Sequence, residues 1–145
     1  MTRRDGQRAR VYAWEDRAIA PLDPSLVPFG AAQGMVDAIW SELGLAWPPR
    51  VEALPPQATT RMADASRLAV RLPARVPSWC LLHELAHALT STHDGRSDGH
   101  GPLFVGIYAD LLVRYLRLDP AWLLDSLAQA GISVRAGARP SFLDA

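Results

Sequence analysis

Apolar residues recur along this chain at two different periods, and the changes of period mark its elements. Met35, Val36, Ile39, Trp40 and Leu43 fall three or four apart and are followed by Gly44. That spacing lines one face of a helix, and the glycine suits its end. Pro21, Pro24 and Pro28 ahead of it mark an extended connection. Over residues 67–72 the period drops to two, which predicts a strand with Leu68, Val70 and Leu72 on one face and Arg67 and Arg71 on the other. Residues 50–54 and 58–62, set among prolines, are short enough to be further strands.

The helical period then returns. Trp79, Leu82, Leu85, Ala86 and Leu89 share a face behind a Pro77-Ser78 start. Phe104, Ile107, Leu111, Leu112 and Tyr115 form a third such stripe opened by Pro102. A fourth helix is expected from Asp119 as N-cap and Pro120 as first residue, through Trp122, Leu123, Leu127 and Ala130, to a stop at Gly131. Val11-Tyr12-Ala13-Trp14 fits a strand or a helix equally well, and residues 1–10 and 132–145 read as loose termini. The expected architecture is α+β, a small sheet packed against helices in a single domain over residues 1–145.

Composition supports a globular domain and argues against several partners. At 145 residues, 49% hydrophobic and with five tryptophans, the chain can bury a substantial core. Fifteen basic and fifteen acidic residues leave no net charge, so no overall field draws it to nucleic acid or to an anionic membrane. The basic residues within 3–17 are interrupted by Asp5, Glu15 and Asp16 and read as a solvated segment. One cysteine makes no internal disulfide, and the first residues lead into no apolar signal run. A cytoplasmic location is therefore expected. No apolar run reaches the roughly 20 residues of a membrane span.

The chemistry is concentrated in one place. All four histidines lie within 18 residues, and the first two are written His83-Glu84-Leu85-Ala86-His87, which is the H-E-x-x-H pattern of helical zinc sites. A shuffled chain with the same 4 histidines and 4 glutamates contains it with a probability of roughly 0.2%. On a helix, residues four apart lie about 6 Å apart along the axis and ~40° apart around it, so both rings can close on one ion. The alternative is a merely structural histidine cluster. Zinc ordinarily takes a third protein ligand and keeps one position open, and His93, His100 and Asp110 are the candidates. His93 has the spacing of H-E-x-x-H-x-x-G-x-x-H, but Thr90 stands in place of the glycine and Met1, Met35 and Met62 all precede the motif, so no downstream methionine turn follows. Asp110 reads as a solvated charge, and Cys80, one turn before His83, as a small buried hydrophobe. Tyr108, eight residues after His100 and on nearly the same helical face, is a candidate oxyanion donor, with packing against Phe104 as the alternative.

His100-Gly101-Pro102-Leu103-Phe104 follows His87 across a loop rich in Ser, Asp and Gly. With the upstream H-E-x-x-H this resembles the SprT-like, or Spartan-like, zinc metallopeptidases, in which a loop leads to H-G-x-x-[W/F] and that histidine is the third ligand. The resemblance implies a zincin-like fold, Zn2+ on His83, His87 and His100, Glu84 as the catalytic base, and a peptide or protein substrate. Its motifs cover residues 68–118, and more of the chain looks like small bacterial metallohydrolases of this type. The Cys-rich zinc ribbon of many SprT-like proteins has no counterpart in a chain with one cysteine, which argues against DNA-bound substrates. The expected function is thus a zinc metallopeptidase or amide hydrolase. Two other classes stand beside it, a zinc-stabilised binding module without turnover and a protease associated with nucleic acid.

Overall fold

In the computed structural model, which describes residues 5–55 and 63–144, the chain opens with a helix, α1 (Arg8–Trp14), that runs on as a π-helical turn over Glu15–Ile19 and a 3-10 turn over Ala20–Leu22. The ambiguity at residues 11–14 is thereby resolved: Val11 and Trp14 are buried three apart, as a helix face requires. The π turn holds one more residue than an α turn, and Glu15 follows Trp14 into the interior. β1 (Leu26–Pro28) leads into α2 (Phe29–Glu42), whose Ala32, Val36, Ile39 and Trp40 are buried.

β2 (Arg50–Ala53), β3 (Asp64–Ala65) and β4 (Ala69–Leu72) form a sheet of order β2-β4-β3, with β2 parallel and β3 antiparallel to β4. β5 (Arg75–Pro77) pairs antiparallel with β1. The strand expected over residues 58–62 lies outside the described residues. β4 buries Val70 and Leu72 as expected, but Leu68 is 58% exposed. Ser66 Oγ accepts from the backbone N–H groups of Leu68 and Ala69, so the chain is still in a turn at Leu68 and the alternation begins one residue later. Of the two arginines expected on the face opposite Val70 and Leu72, Arg71 pairs with Asp64 across β3 and β4. Arg67 instead is buried between the rings of Trp40 and Phe142, 4.8 and 4.6 Å from their centroids.

α3 (Ser78–Leu89), α4 (Pro102–Tyr115) and α5 (Pro120–Gln129) complete the fold with a short 3-10 turn at Ser141–Asp144. α3 is the central element. Its residues 79–86, together with Ala88 and Leu89, are all buried, so it is enclosed on every side rather than along one stripe. Asp119 caps α5 by accepting from Trp122 N–H at 2.8 Å. No helix among the described residues is long and apolar enough to cross a membrane.

Of the termini expected to be loose, residues 1–4 and 145 lie outside the described residues, and residues 5–10 and 132–144 depart from that expectation. Gln7 Nε2 donates to the His100 carbonyl at 2.9 Å and Arg10 Nη1 to the Gly131 carbonyl at 2.7 Å. At the other end Ile132 is buried, Arg135 N–H donates to the Pro102 carbonyl at 3.0 Å, and Phe142 stacks on Trp40 at 5.7 Å. The first segment is held by side-chain bonds to distant backbone carbonyls, the second by a backbone bond and an aromatic contact to distant residues, and no local pattern of polarity announces either. The result is a mixed α+β fold.

Candidate metal centre

α3 carries His83, Glu84 and His87, and its end is closed by hydroxyls rather than by a left-handed glycine. Thr90 Oγ1 donates to the Ala86 carbonyl at 2.9 Å and Ser91 Oγ to the His87 carbonyl at 2.6 Å, adding to the bonds that the Thr90 N–H makes to the same two carbonyls. The chain then loops over residues 92–99 and returns at His100. Asp98 accepts from the N–H groups of Leu103 and Phe104 at 2.8 and 3.2 Å, capping α4 at its first turn. The two glycines around His100 are steric requirements. Gly99 has φ +63° and a Cβ on it would meet the Asp5 carboxylate at 2.6 Å, while a Cβ on Gly101 would meet the Asp98 carboxylate at 2.5 Å. His100 is thus threaded between two carboxylates.

Three imidazoles converge there. The Nε2 atoms of His83 and His87 are 3.1 Å apart, those of His87 and His100 3.2 Å, and those of His100 and His83 3.3 Å. Tetrahedral zinc with Zn–N bonds of about 2.05 Å sets its ligand nitrogens about 3.3 Å apart, so the triangle has the size of three of that ion's ligands. His83 and His100 are buried and His87 is half-buried. Phe104 forms their floor: its ring stacks on His87 at 4.3 Å and stands edge-on to His83 and His100, each at 5.0 Å.

The other nitrogens of two rings face carboxylates. His83 Nδ1 lies 2.5 Å from Glu15 Oε2, and His100 Nδ1 lies 2.7 Å from Asp5 Oδ2. An Nδ1–H donating to a carboxylate leaves Nε2 as a bare lone pair. Two such lone pairs and the His87 nitrogen therefore point at one another, an arrangement that a cation between them stabilises. Burial lowers the His87 pKa well below its ordinary value, assisted by the neighbouring His83 and His100, and a neutral ring is the form that binds metal.

Glu84 is 6% exposed and lines, with Tyr12, Glu15, Ala63, Trp79, Cys80 and His83, a cavity of about 20 Å³, room for one water. Burial, then the charges of Glu15 and Asp64, raise its pKa to about 8; these causes act in the metal-free protein, and a cation at the triad opposes them.

The structure gathers His83, His87 and His100 into one cluster and leaves the other sequence candidates outside it. Among the described residues this triad is the one group of three potential ligands close enough to share an ion. His93 and Asp110 are exposed, the first beside Trp47 and Arg67, the second in a groove between α4 and α5. Cys80 is buried and lines the cavity. Tyr108 is also buried, and its hydroxyl donates to Glu15 Oε2 at 2.7 Å. Sequence reasoning missed Asp5 and Glu15, which it placed in a solvated segment. The available signal was Glu15 itself, a charge within the apolar run Val11, Trp14 and Ile19.

Compared with family models, with curated proteins and with solved structures, the chain matches none. What the geometry defines is therefore a class: a mixed α+β protein with a buried three-histidine cluster that can hold a metal ion.

Proposed function

We propose that this protein is a zincin-like, zinc-dependent hydrolase of peptide or other amide bonds. The observation that carries the reading is the triangle of Nε2 atoms, 3.1 to 3.3 Å on its sides, together with Glu84, next to His83 along α3 and lining with it a cavity the size of one water. Three neutral nitrogen donors and no thiolate suit zinc in a site that keeps a fourth position open. When bound, the ion supplies a Lewis acid that acidifies water and polarises a carbonyl. The remaining work falls to the chain. Glu84 accepts a proton from the attacking water and passes it to the leaving amine, as a general base and then a general acid. Asp5 and Glu15 hold two of the rings in one tautomer throughout. The burial of His83, Glu84 and His100 limits bulk water at the site.

The narrowness of the cavity favours one second reading, a zinc-stabilised module that binds a protein partner without turnover. One experiment separates them. Metal content is measured on the purified protein, and a broad peptide library is offered to the parent and to Glu84→Gln. The variant keeps its zinc and its melting temperature while turnover falls about 10²–10⁴-fold, the usual worth of a general acid–base group. Cleavage by the variant at the parent's rate overturns the mechanism. Zinc in both proteins with cleavage by neither selects the binding module.

A further inference from the structure

His100 is gripped from one direction. Asp5 Oδ2 accepts from both its backbone N–H at 3.1 Å and its Nδ1–H at 2.7 Å, and Gln7 Nε2 donates to its carbonyl at 2.9 Å. On the same segment Glu15 takes the Nδ1–H of His83. Tyr12 lies over the cluster, stacked on His83 at 5.9 Å and edge-on to His100 at 5.1 Å. Residues 5–19 thus touch two of the three clustered histidines at the atoms that decide how each ring presents its Nε2. Away from the cluster, the segment is tied down by Trp14 Nε1–H donating to Ser126 Oγ at 3.0 Å, by Arg10 on Gly131, and by Ser133 N–H on Gln7 Oε1 at 2.6 Å.

We infer that residues 5–19 are a working part of the metal centre, in which Asp5 and Glu15 are positioning residues for His100 and His83, and that metal binding and docking of this segment are coupled. The inference rests on the metal half of the proposed function and is independent of catalysis. A ligand imidazole can turn about its χ angles and can carry its proton on either nitrogen, and only one combination presents Nε2 to the ion. A carboxylate on Nδ1 selects that combination and makes Nε2 more basic. Burying Glu15 to 1% exposure is costly for a carboxylate unless charge-assisted hydrogen bonds compensate, and it accepts such bonds from His83 and Tyr108. Reciprocity then requires that an ion which holds the rings in place also holds the segment that orients them.

The test uses the full chain with Zn2+ as the probe. Its affinity is measured by chelator competition for the parent, Asp5→Ala and Glu15→Gln. Histidine tautomers are read from imidazole 15N shifts in the metal-free proteins, and amide hydrogen exchange of residues 8–19 is followed with and without Zn2+. The expected result is zinc affinity 10- to 100-fold weaker in each variant. With it come Nδ1–H tautomers at His83 and His100 in the parent, a mixed tautomer at His100 in Asp5→Ala, and slower exchange over residues 8–19 on adding Zn2+. Parental affinity in a folded variant, or exchange in the segment indifferent to Zn2+, overturns this inference and leaves the hydrolase reading standing. A parent that binds no Zn2+ overturns both. Should Glu15→Gln not fold, Asp5→Ala decides alone, since the Asp5 side chain is 28% exposed and its removal opens no core cavity.

Discussion

On the side of the cluster built by α3 and α4, ring positions are set by packing; on the side built by residues 5–19, they are set by hydrogen bonds. Phe104, Leu85 and Leu89 are buried to 1% exposure or less, and a close-packed interior fixes the place of every ring it touches. Apolar contact, however, carries no information about which nitrogen holds the proton. Asp5 and Glu15 supply that information while contributing little apolar area. The two sides should therefore fail differently: damage to the packed side should appear first as lost stability, and damage to the polar side first as lost metal affinity in a folded protein.

The largest expected effect comes from His100, which both sides share. Apparent zinc affinities of 10–16 kcal/mol over four ligands correspond to about 3 kcal/mol for each, or ~10²-fold. His100→Ala should lose zinc affinity by at least that factor, measured by chelator competition at neutral pH, while His93→Ala, altered at an exposed position, should retain the parental value. Equal losses would move the third ligand elsewhere.

Next is Phe104→Ala, which breaks the packed side alone. Phe104 is fully buried, and truncating such a ring costs about 3–5 kcal/mol. For a domain of this size that is a fall of roughly 6–20 °C in melting temperature. Added Zn2+ should restore part of it, because an ion that binds only the folded state stabilises it. Asp5→Ala should shift melting far less than Phe104→Ala while weakening zinc more. Were Phe104→Ala to melt like the parent, the division between packing and polar control would not hold.

The same division explains how much of this molecule could be read from its sequence. His83, Glu84 and His87 are legible because their relation is local, one helical turn apart on a segment with a clear apolar period. His100 is legible through the H-G-x-x-F stretch, and the structure gives the reason for its form: Gly101 clears the Asp98 carboxylate and Phe104 is the floor under His87. Asp5 and Glu15 reach their histidines across 95 and 68 residues of chain, and no periodicity spans such a distance. A run of mixed charge reads as solvated, and the π turn at Glu15 breaks the helical phase that would have placed it inside. Phe142 reads as part of a tail for a related reason: its partners, Trp40 and Arg67, lie far from it in sequence. The α+β class and the helix stops at Gly44 and Gly131, both at positive φ, follow from local rules. The pairing of β2 with β4 does not.

The smallest effect, and the sharpest test of how the two sides join, belongs to Tyr108. It stands on α4 among the packed residues, edge-on to Trp14 at 6.2 Å and to His83 at 5.2 Å, yet its hydroxyl donates to Glu15. Burial and the charge of Glu15 hold its pKa well above the ordinary tyrosine value, so the O–H remains a donor across the neutral range. Tyr108→Phe removes that donor while the His83 Nδ1–H on Glu15 stays in place. A lost bond to a buried charged group costs about 1–3 kcal/mol, visible as a lower denaturant midpoint. Zinc affinity should fall by only a few fold, less than in Glu15→Gln, because the bond that orients His83 survives. A Tyr108 that instead touched the reacting carbonyl as an oxyanion donor would give the opposite signature: unchanged midpoint, unchanged zinc affinity, and turnover lower by about 10²–10³-fold. Measuring all three on one variant assigns Tyr108 either to the support of Glu15 or to the reaction itself.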